Sequence, residues 1–223
     1  PDGVLIGDLN ALNVPGVLDF LRCRCKLWRR FLTTRSFMKQ RFARWFLQLA
    51  GWRLEGARPI FDRYVLIAAP HTSNWDFPLM LAFAAAYDIK VTWMAKHSLF
   101  FPPVGWIMRL MGGMPIVRHE NRNVVDSMVD VFRCAQRLVL VVPTEGTREH
   151  TEFWKSGFYH IARQADVPIV PSFLDFGGKR GGFGPALELS GDVGKDMQYF
   201  RDFYRDMRGK FPANVGPIRL REE

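Results

Sequence analysis

Apolar and polar residues alternate in blocks along most of the chain. Residues 64–69 (YVLIAA) form a short apolar run that ends in a turn, which predicts a buried strand. Residues 77–87 follow with helical character. Residues 90–94 and 115–117 read as strands, and 124–136 as an amphipathic helix. Residues 138–142 (LVLVV) form a wholly apolar strand, 152–164 a helix and 169–174 a further strand. Strand–helix alternation with apolar strands predicts an α/β domain built on a mainly parallel central sheet flanked by helices. Strand-like segments continue through residues 173–189, broken by Gly177, Gly178, Gly181 and Gly182. This glycine-rich stretch reads as a hairpin tip, because glycine pairs supply the positive φ such turns need. A last helix is expected over 193–207, with Tyr199, Phe200, Phe203 and Tyr204 on its apolar side.

The pattern near the start of the chain has a different character. Met38, Phe42, Trp45, Phe46 and Leu49 recur at helical spacing and fall in one stripe roughly 100° wide. Arg41 and Arg44 border the stripe on one side, Arg35 and Lys39 on the other. An earlier helix is expected over 17–32, carrying Leu21, Trp28, Phe31 and Leu32, with Thr33, Thr34 and Ser36 forming the break and cap. Charge marks the same region. The chain holds 31 basic and 22 acidic residues, a formal +9, yet residues 20–54 contain no Asp or Glu and ten cations. The remainder is close to neutral. An N-terminal amphipathic helix pair of this kind has three readings: a cover for the core, an attachment to an anionic membrane surface, or a phosphate-neutralising nucleic-acid surface. Residues 1–54 are taken as the basic helical membrane-association segment and 55–223 as the α/β domain.

Length and composition bound the rest. With 223 residues, 48% apolar and 24% charged, the chain has material for one sizeable core. The longest stretches without a charged residue are 64–75 and 97–108, too short for an ordinary membrane span. No secretory signal pattern is visible, and Pro1 is not an initiator, which leaves room for residues upstream. Cys23, Cys25 and Cys134 match neither a zinc nor a redox spacing, so reduced thiols in a cytosolic setting are expected.

The chemistry-bearing segment is His71-Thr72-Ser73-Asn74-Trp75-Asp76, between a strand and a helix. The carboxyl ends of parallel strands are where α/β sheets bind ligands. A histidine there can take a proton from a hydroxyl, and a carboxylate five residues on can orient the ring across the turn. A satisfied turn histidine and an aspartate capping the next helix explain the same residues. Glu145-Gly146-Thr147-Arg148 follows the LVLVV strand, with Gly146 suited to a tight turn and Arg148 offering a forked donor for phosphate. Glu145 and Arg148 pairing with each other is the structural alternative. Gly112 to Arg118 is a strand pattern ending in a second arginine, and Val167-Pro168-Ile169-Val170-Pro171 enters the same sheet.

These four blocks in this order resemble the glycerolipid acyltransferases, and are most similar to the bacterial 1-acylglycerol-3-phosphate acyltransferases. The resemblance covers residues 64–174, half the chain. It implies transfer of a fatty acyl group from a thioester, acyl-CoA or acyl carrier protein, to the hydroxyl of a lysophospholipid, chiefly 1-acylglycerol-3-phosphate giving phosphatidic acid. It implies His71 and Asp76 as the catalytic pair, and Arg118, Glu145, Gly146, Thr147 and Arg148 as groups that bind the acceptor. Lys96 resembles a lysine often found between the first two blocks, although the glutamate usual after it is absent. Thr144 stands where the family has proline. The acyl donor is a co-substrate, so no cofactor is expected. His97, His119, His150 and His160 form no metal-spaced set with carboxylates, so no metal is expected. Ser73 lacks a G-x-S-x-G elbow, and the resemblance implies no acyl-enzyme. The glycine-rich loop at 177–182 has contact with CoA phosphates as its second reading, and Trp75 and Trp106 are core or membrane-facing anchors.

The expected setting is the cytoplasmic face of a membrane, peripheral or monotopic, with an anionic surface as partner and no nucleic acid. The alternatives are an acyltransferase of the same fold acting on another lysophospholipid or an aminolipid, and a non-catalytic basic membrane- or nucleic-acid-binding protein.

Overall fold

The computed structural model describes residues 35–116 and 121–223. Its centre is a seven-stranded sheet. The strands are β1 (Arg53–Glu55), β2 (Arg63–Ala68), β3 (Val91–Lys96), β4 (Gly113–Ile116), β5 (Leu138–Pro143), β6 (Ile169–Asp175) and β7 (Arg180–Phe183), in the spatial order β1-β7-β6-β2-β5-β3-β4. Strands β2 to β6 run parallel. β7 turns back against β6 and carries β1 parallel to itself. The expected mainly parallel sheet is borne out.

Apolar runs in β2 and β5 are buried because helices cover both faces. On one face, α1 (Arg35–Leu49) and α2 (Asp76–Ala86) bring Ala43, Leu47, Phe83 and Ala84 onto Leu66, Val141 and Val170. On the other, α4 (Asn121–Cys134), α5 (Gly157–Ala165) and α6 (Val193–Tyr204) bring Phe132, Phe158, Ile161 and Phe200 onto Val65, Ile67, Leu140 and Val142. Successive residues of β2 thus face opposite cores, as the two-residue period of a strand requires. The short helix α3 (Val104–Leu110) lies on the α1–α2 side. Gly113 pairs with Trp93, and a Cβ at Gly113 would meet the Met108 carbonyl, the Trp93 ring and the Phe100 ring. The Trp93 ring also meets Phe77 of α2 edge-on at 4.7 Å.

Several expectations need correction. The helix expected over 152–164 begins only at Gly157, because the backbone before it is used elsewhere: Trp154 N–H donates to the Arg219 carbonyl and Lys155 N–H to the Thr144 carbonyl. The division at residue 54 falls inside β1, whose three residues pair with β7, so the N-terminal segment contributes a strand to the sheet. The hairpin at 175–180 forms, but for a different reason. Its left-handed residue is Lys179, at φ 46°, and Gly177 and Gly178 do not have positive φ. Gly181 and Gly182 are required by close approach instead, since a Cβ at Gly182 would lie 1.7 Å from the Glu55 carbonyl oxygen of β1.

The helix expected over 17–32 and the break at Thr33 and Thr34 lie outside the described residues. The second helix of the pair is α1, and it is oriented against simple amphipathic expectation. It docks through Ala43 and Leu47, and Arg44 Nε donates to the Ala86 carbonyl at 3.0 Å. The wide apolar stripe of Met38, Phe42, Trp45, Phe46 and Leu49 lies on the opposite side, each residue 48–74% exposed.

Candidate active site

β2 delivers its chain end to the turn that holds His71. Asp76 opens α2 and folds back over this turn. Its Oδ2 accepts from the backbone N–H of Thr72 and of Ser73, both at 2.9 Å, and lies 3.0 Å from His71 Nδ1. An oxygen already accepting two N–H groups at a helix start is held as an acceptor. In the neutral ring Nδ1 is therefore the nitrogen that carries the proton, and Nε2 keeps its lone pair. Asp76 Oδ1 is buried with no hydrogen-bond partner among the described residues. The two side chains differ in exposure, 23% for His71 and 7% for Asp76, so the imidazole reaches solvent and the carboxylate does not. Ser73 is buried, and its Oγ accepts from Trp75 N–H at 3.1 Å, a bond that tightens the turn.

β5, the neighbour of β2, delivers the second loop. Thr144 and Glu145 are buried, while Gly146, Thr147 and Arg148 are exposed. The Glu145 carboxylate is turned inward onto protein donors. Oε1 accepts from the His71 backbone N–H at 3.1 Å, and Oε2 accepts from Thr144 Oγ1 at 3.3 Å. Glu145 is 3% exposed, and burial pushes its carboxyl pKa up, a trend opposed by the backbone donors and by His71. It thus ties the two loops together from below. Thr144 supplies a hydroxyl donor to this carboxylate, which proline at that position lacks. Gly146 takes φ 68°, the left-handed turn expected of it.

Arg148 turns toward the first loop, its guanidinium donating to Asn74 Oδ1. The pairing of Arg148 with Glu145 is not made. Thr147 Oγ1 accepts from Glu149 N–H at 3.3 Å. Lys96 is exposed at the carboxyl end of β3, which is next to β5 in the sheet. With strands about 4.8 Å apart, it stands roughly 10 Å to the side of β2. Arg118 lies outside the described residues. The structure thus brings His71, Asp76, Glu145 and Arg148 together and leaves Lys96 at the margin. Among the described residues no group of three His, Cys, Asp or Glu side chains is placed to hold a metal ion.

The sequence reading missed the segment after α6. Phe211 N–H donates to Thr72 Oγ1 at 3.2 Å, the Asn214 side-chain amide donates to the Arg148 carbonyl at 2.9 Å, and the Lys210 ammonium lies 5.1 Å from the centre of the Trp75 ring. Its signal in the sequence is faint, a lone Lys-Phe-Pro after a helix.

Comparison with known proteins bears on the same region. The Acyltransferase family model matches residues 52–175. The chain is similar to 1-acyl-sn-glycerol-3-phosphate acyltransferase of Saccharomyces cerevisiae, 31% identical over 48% of this chain and 37% of the yeast protein. It is also similar to human 1-acyl-sn-glycerol-3-phosphate acyltransferase beta, 32% identical over 53% of this chain and 42% of the human protein. The matched region spans less than half the length of either relative. Among solved structures, 1-acyl-sn-glycerophosphate acyltransferase PlsC of Thermotoga maritima aligns over 75% of each chain at 15% identity and a TM-score of 0.49.

Proposed function

The chain belongs to the acyltransferase family, and on that premise we propose that it transfers a fatty acyl group from acyl-CoA or acyl carrier protein to the hydroxyl of 1-acylglycerol-3-phosphate. The observation that carries this reading is the His71–Asp76 pair, 3.0 Å apart, buried on the carboxylate side and open on the imidazole side, at the carboxyl edge of the sheet. His71 Nε2 removes the proton of the acceptor hydroxyl as its oxygen attacks the thioester carbonyl. The new C–O bond forms, the C–S bond breaks, and the proton held on the imidazole passes to the departing thiolate. Asp76 keeps Nδ1 protonated and offsets the charge the ring gains in between. Arg148 carries an exposed cation to the same turn for the acceptor's phosphate.

Thiol release from acyl-CoA in the presence of 1-acylglycerol-3-phosphate tests the assignment. His71→Ala should lower turnover by about 10²–10⁴-fold, the usual contribution of a positioned general base. Near-normal turnover in that variant would remove His71 from the mechanism.

The acceptor is a membrane lipid, and the described residues contain no helix long and apolar enough to cross a membrane. The outward stripe of α1, bordered by Lys39 and Arg41, supports peripheral attachment to an anionic surface on the cytoplasmic side. Trp106, Ile107 and Leu110 of α3 are likewise exposed on that side of the sheet. A stripe of bulky apolar side chains facing outward favours lipid over nucleic acid as the partner, because no base-reading element accompanies it among the described residues.

A further inference from the structure

The family match ends at residue 175, yet the chain beyond α6 returns to the site. At the end of β6, Phe176 N–H donates to the Arg208 carbonyl at 2.9 Å, and Arg208 N–H donates to Asp175 Oδ1 at 3.2 Å. Gly209 is buried against the turn after β2, where a Cβ would lie 2.7 Å from Thr72 Oγ1. Asn214 then reaches the loop after β5 through the Arg148 carbonyl. At Gly216 a Cβ would lie 1.9 Å from the Thr151 carbonyl oxygen. Strands β6, β2 and β5 are consecutive in the sheet, so residues 208–216 cross three neighbouring strand ends along the edge where His71 stands.

This path brings a second cation to the same turn. Arg148 is held by Asn74, and Lys210 lies over Trp75, the next residue of the same turn. Both partners are uncharged. Among the described residues neither cation has a carboxylate within salt-bridge distance, although seven Arg–carboxylate pairs form. The two exposed cations rest on consecutive residues of that turn, Asn74 and Trp75, and an anion that reaches both is held by two positive charges. A phosphomonoester, with a charge of about −1.5 to −2 at neutral pH, takes up two cations. A phosphodiester carries a single charge and a substituent in the way.

We propose that Lys210 and Arg148 clamp the acceptor's phosphate between them, and that the segment 208–216 is the wall that makes this enzyme select a phosphomonoester acceptor. The proposal rests on the acceptor-binding reading above. Lys210 is a binding residue and takes no part in proton transfer.

Calorimetric titration of the full chain with a soluble short-chain 1-acylglycerol-3-phosphate tests it, run beside the thiol-release assay. Lys210→Met keeps the stem over Trp75 and removes the charge. It should weaken Kd by about tenfold or more, the usual loss of a charge-assisted contact. Lys210→Arg should stay within about threefold of the parent, and His71→Ala should bind like the parent. The matching phosphate-free monoacylglycerol should bind equally to parent and Lys210→Met. Parent-like binding of the phosphate acceptor by Lys210→Met overturns the clamp and leaves the catalytic reading standing. Weakened binding in Lys210→Met together with full turnover in His71→Ala supports the clamp and overturns the catalytic reading. Absence of acceptor binding by the parent protein overturns both.

Discussion

One carboxylate oxygen, Asp76 Oδ2, receives the ring nitrogen and two backbone N–H groups. The imidazole is thereby fixed in tautomer and direction before any ligand arrives. Glu145 does a similar service one layer deeper through the His71 backbone, and its chemistry yields a pH test. Burial raises its pKa above the ordinary glutamate value of 4.5, so ionisation is harder in the folded chain than in the unfolded one. Stability from this group is fully present below that ordinary value and is lost as pH rises through the raised one. Glu145→Gln keeps an acceptor for the His71 N–H and removes the ionisation. Its Tm relative to the parent should therefore rise from acid to neutral pH, read by thermal melts across that range. A constant difference would contradict the buried carboxylate. At this scale the His–Asp pair was legible because five residues separate its members and one turn joins them. Thr72 and Phe211 are 139 residues apart, and no local pattern announces their bond. The inward direction of Glu145 was hidden for a related reason, since its partner is the backbone of another loop.

Among the elements, α1 separates what periodicity can say from what it cannot. The spacing of Met38, Phe42, Trp45, Phe46 and Leu49 marked a helix with one apolar side. The docking face is narrower, Ala43 and Leu47, and is chosen by fit against α2 rather than by hydrophobic width. The two faces give opposite expectations. Phe42→Glu with Trp45→Glu should abolish sedimentation with anionic vesicles and leave the unfolding midpoint nearly unchanged, because both side chains are in solvent. Leu47→Ala should cost about 2–5 kcal/mol in denaturant unfolding, as for other buried leucines, with the outward stripe intact. Loss of stability in the first variant would show that the stripe is covered by protein. Simple removal of residues 1–54 would be a poorer test, since it takes away Leu47, Trp52 and part of β1 along with the stripe. β1 itself, the three residues Arg-Leu-Glu, was illegible because so short a strand shows no alternation. It exists because Gly182 lets its backbone approach.

In the whole molecule the site and the outward stripe belong to different chemistry on one scaffold. The sheet presents the His71–Asp76 pair at its carboxyl ends, and the α1–α3 side presents aromatics and cations. The fold class was legible from alternating apolar runs, whereas the antiparallel return of β7 and the placing of β1 depend on pairings distant in sequence. Charge is as unevenly distributed as apolar surface, with ten cations and no acid in residues 20–54. Attachment to anionic vesicles should therefore weaken markedly between about 0.05 and 0.5 M salt, as screening shortens the Debye length. A residual part should persist through the aromatic stripe. Salt-independent sedimentation would assign attachment to the apolar residues alone.

Every strand of the sheet lies before residue 184, and the His–Asp turn with it, yet the residues that cross the strand ends beside that turn come after α6. During synthesis the His71–Asp76 pair thus emerges from the ribosome long before Lys210 and Asn214 do. A nascent chain halted at residue 207 would hold a complete sheet and an orienting aspartate, but no second cation and no bond from Phe211 to the turn. Any grip that residues 208–216 give is in this way deferred until after the whole sheet has been made, and a chain stopped short of them is born without it.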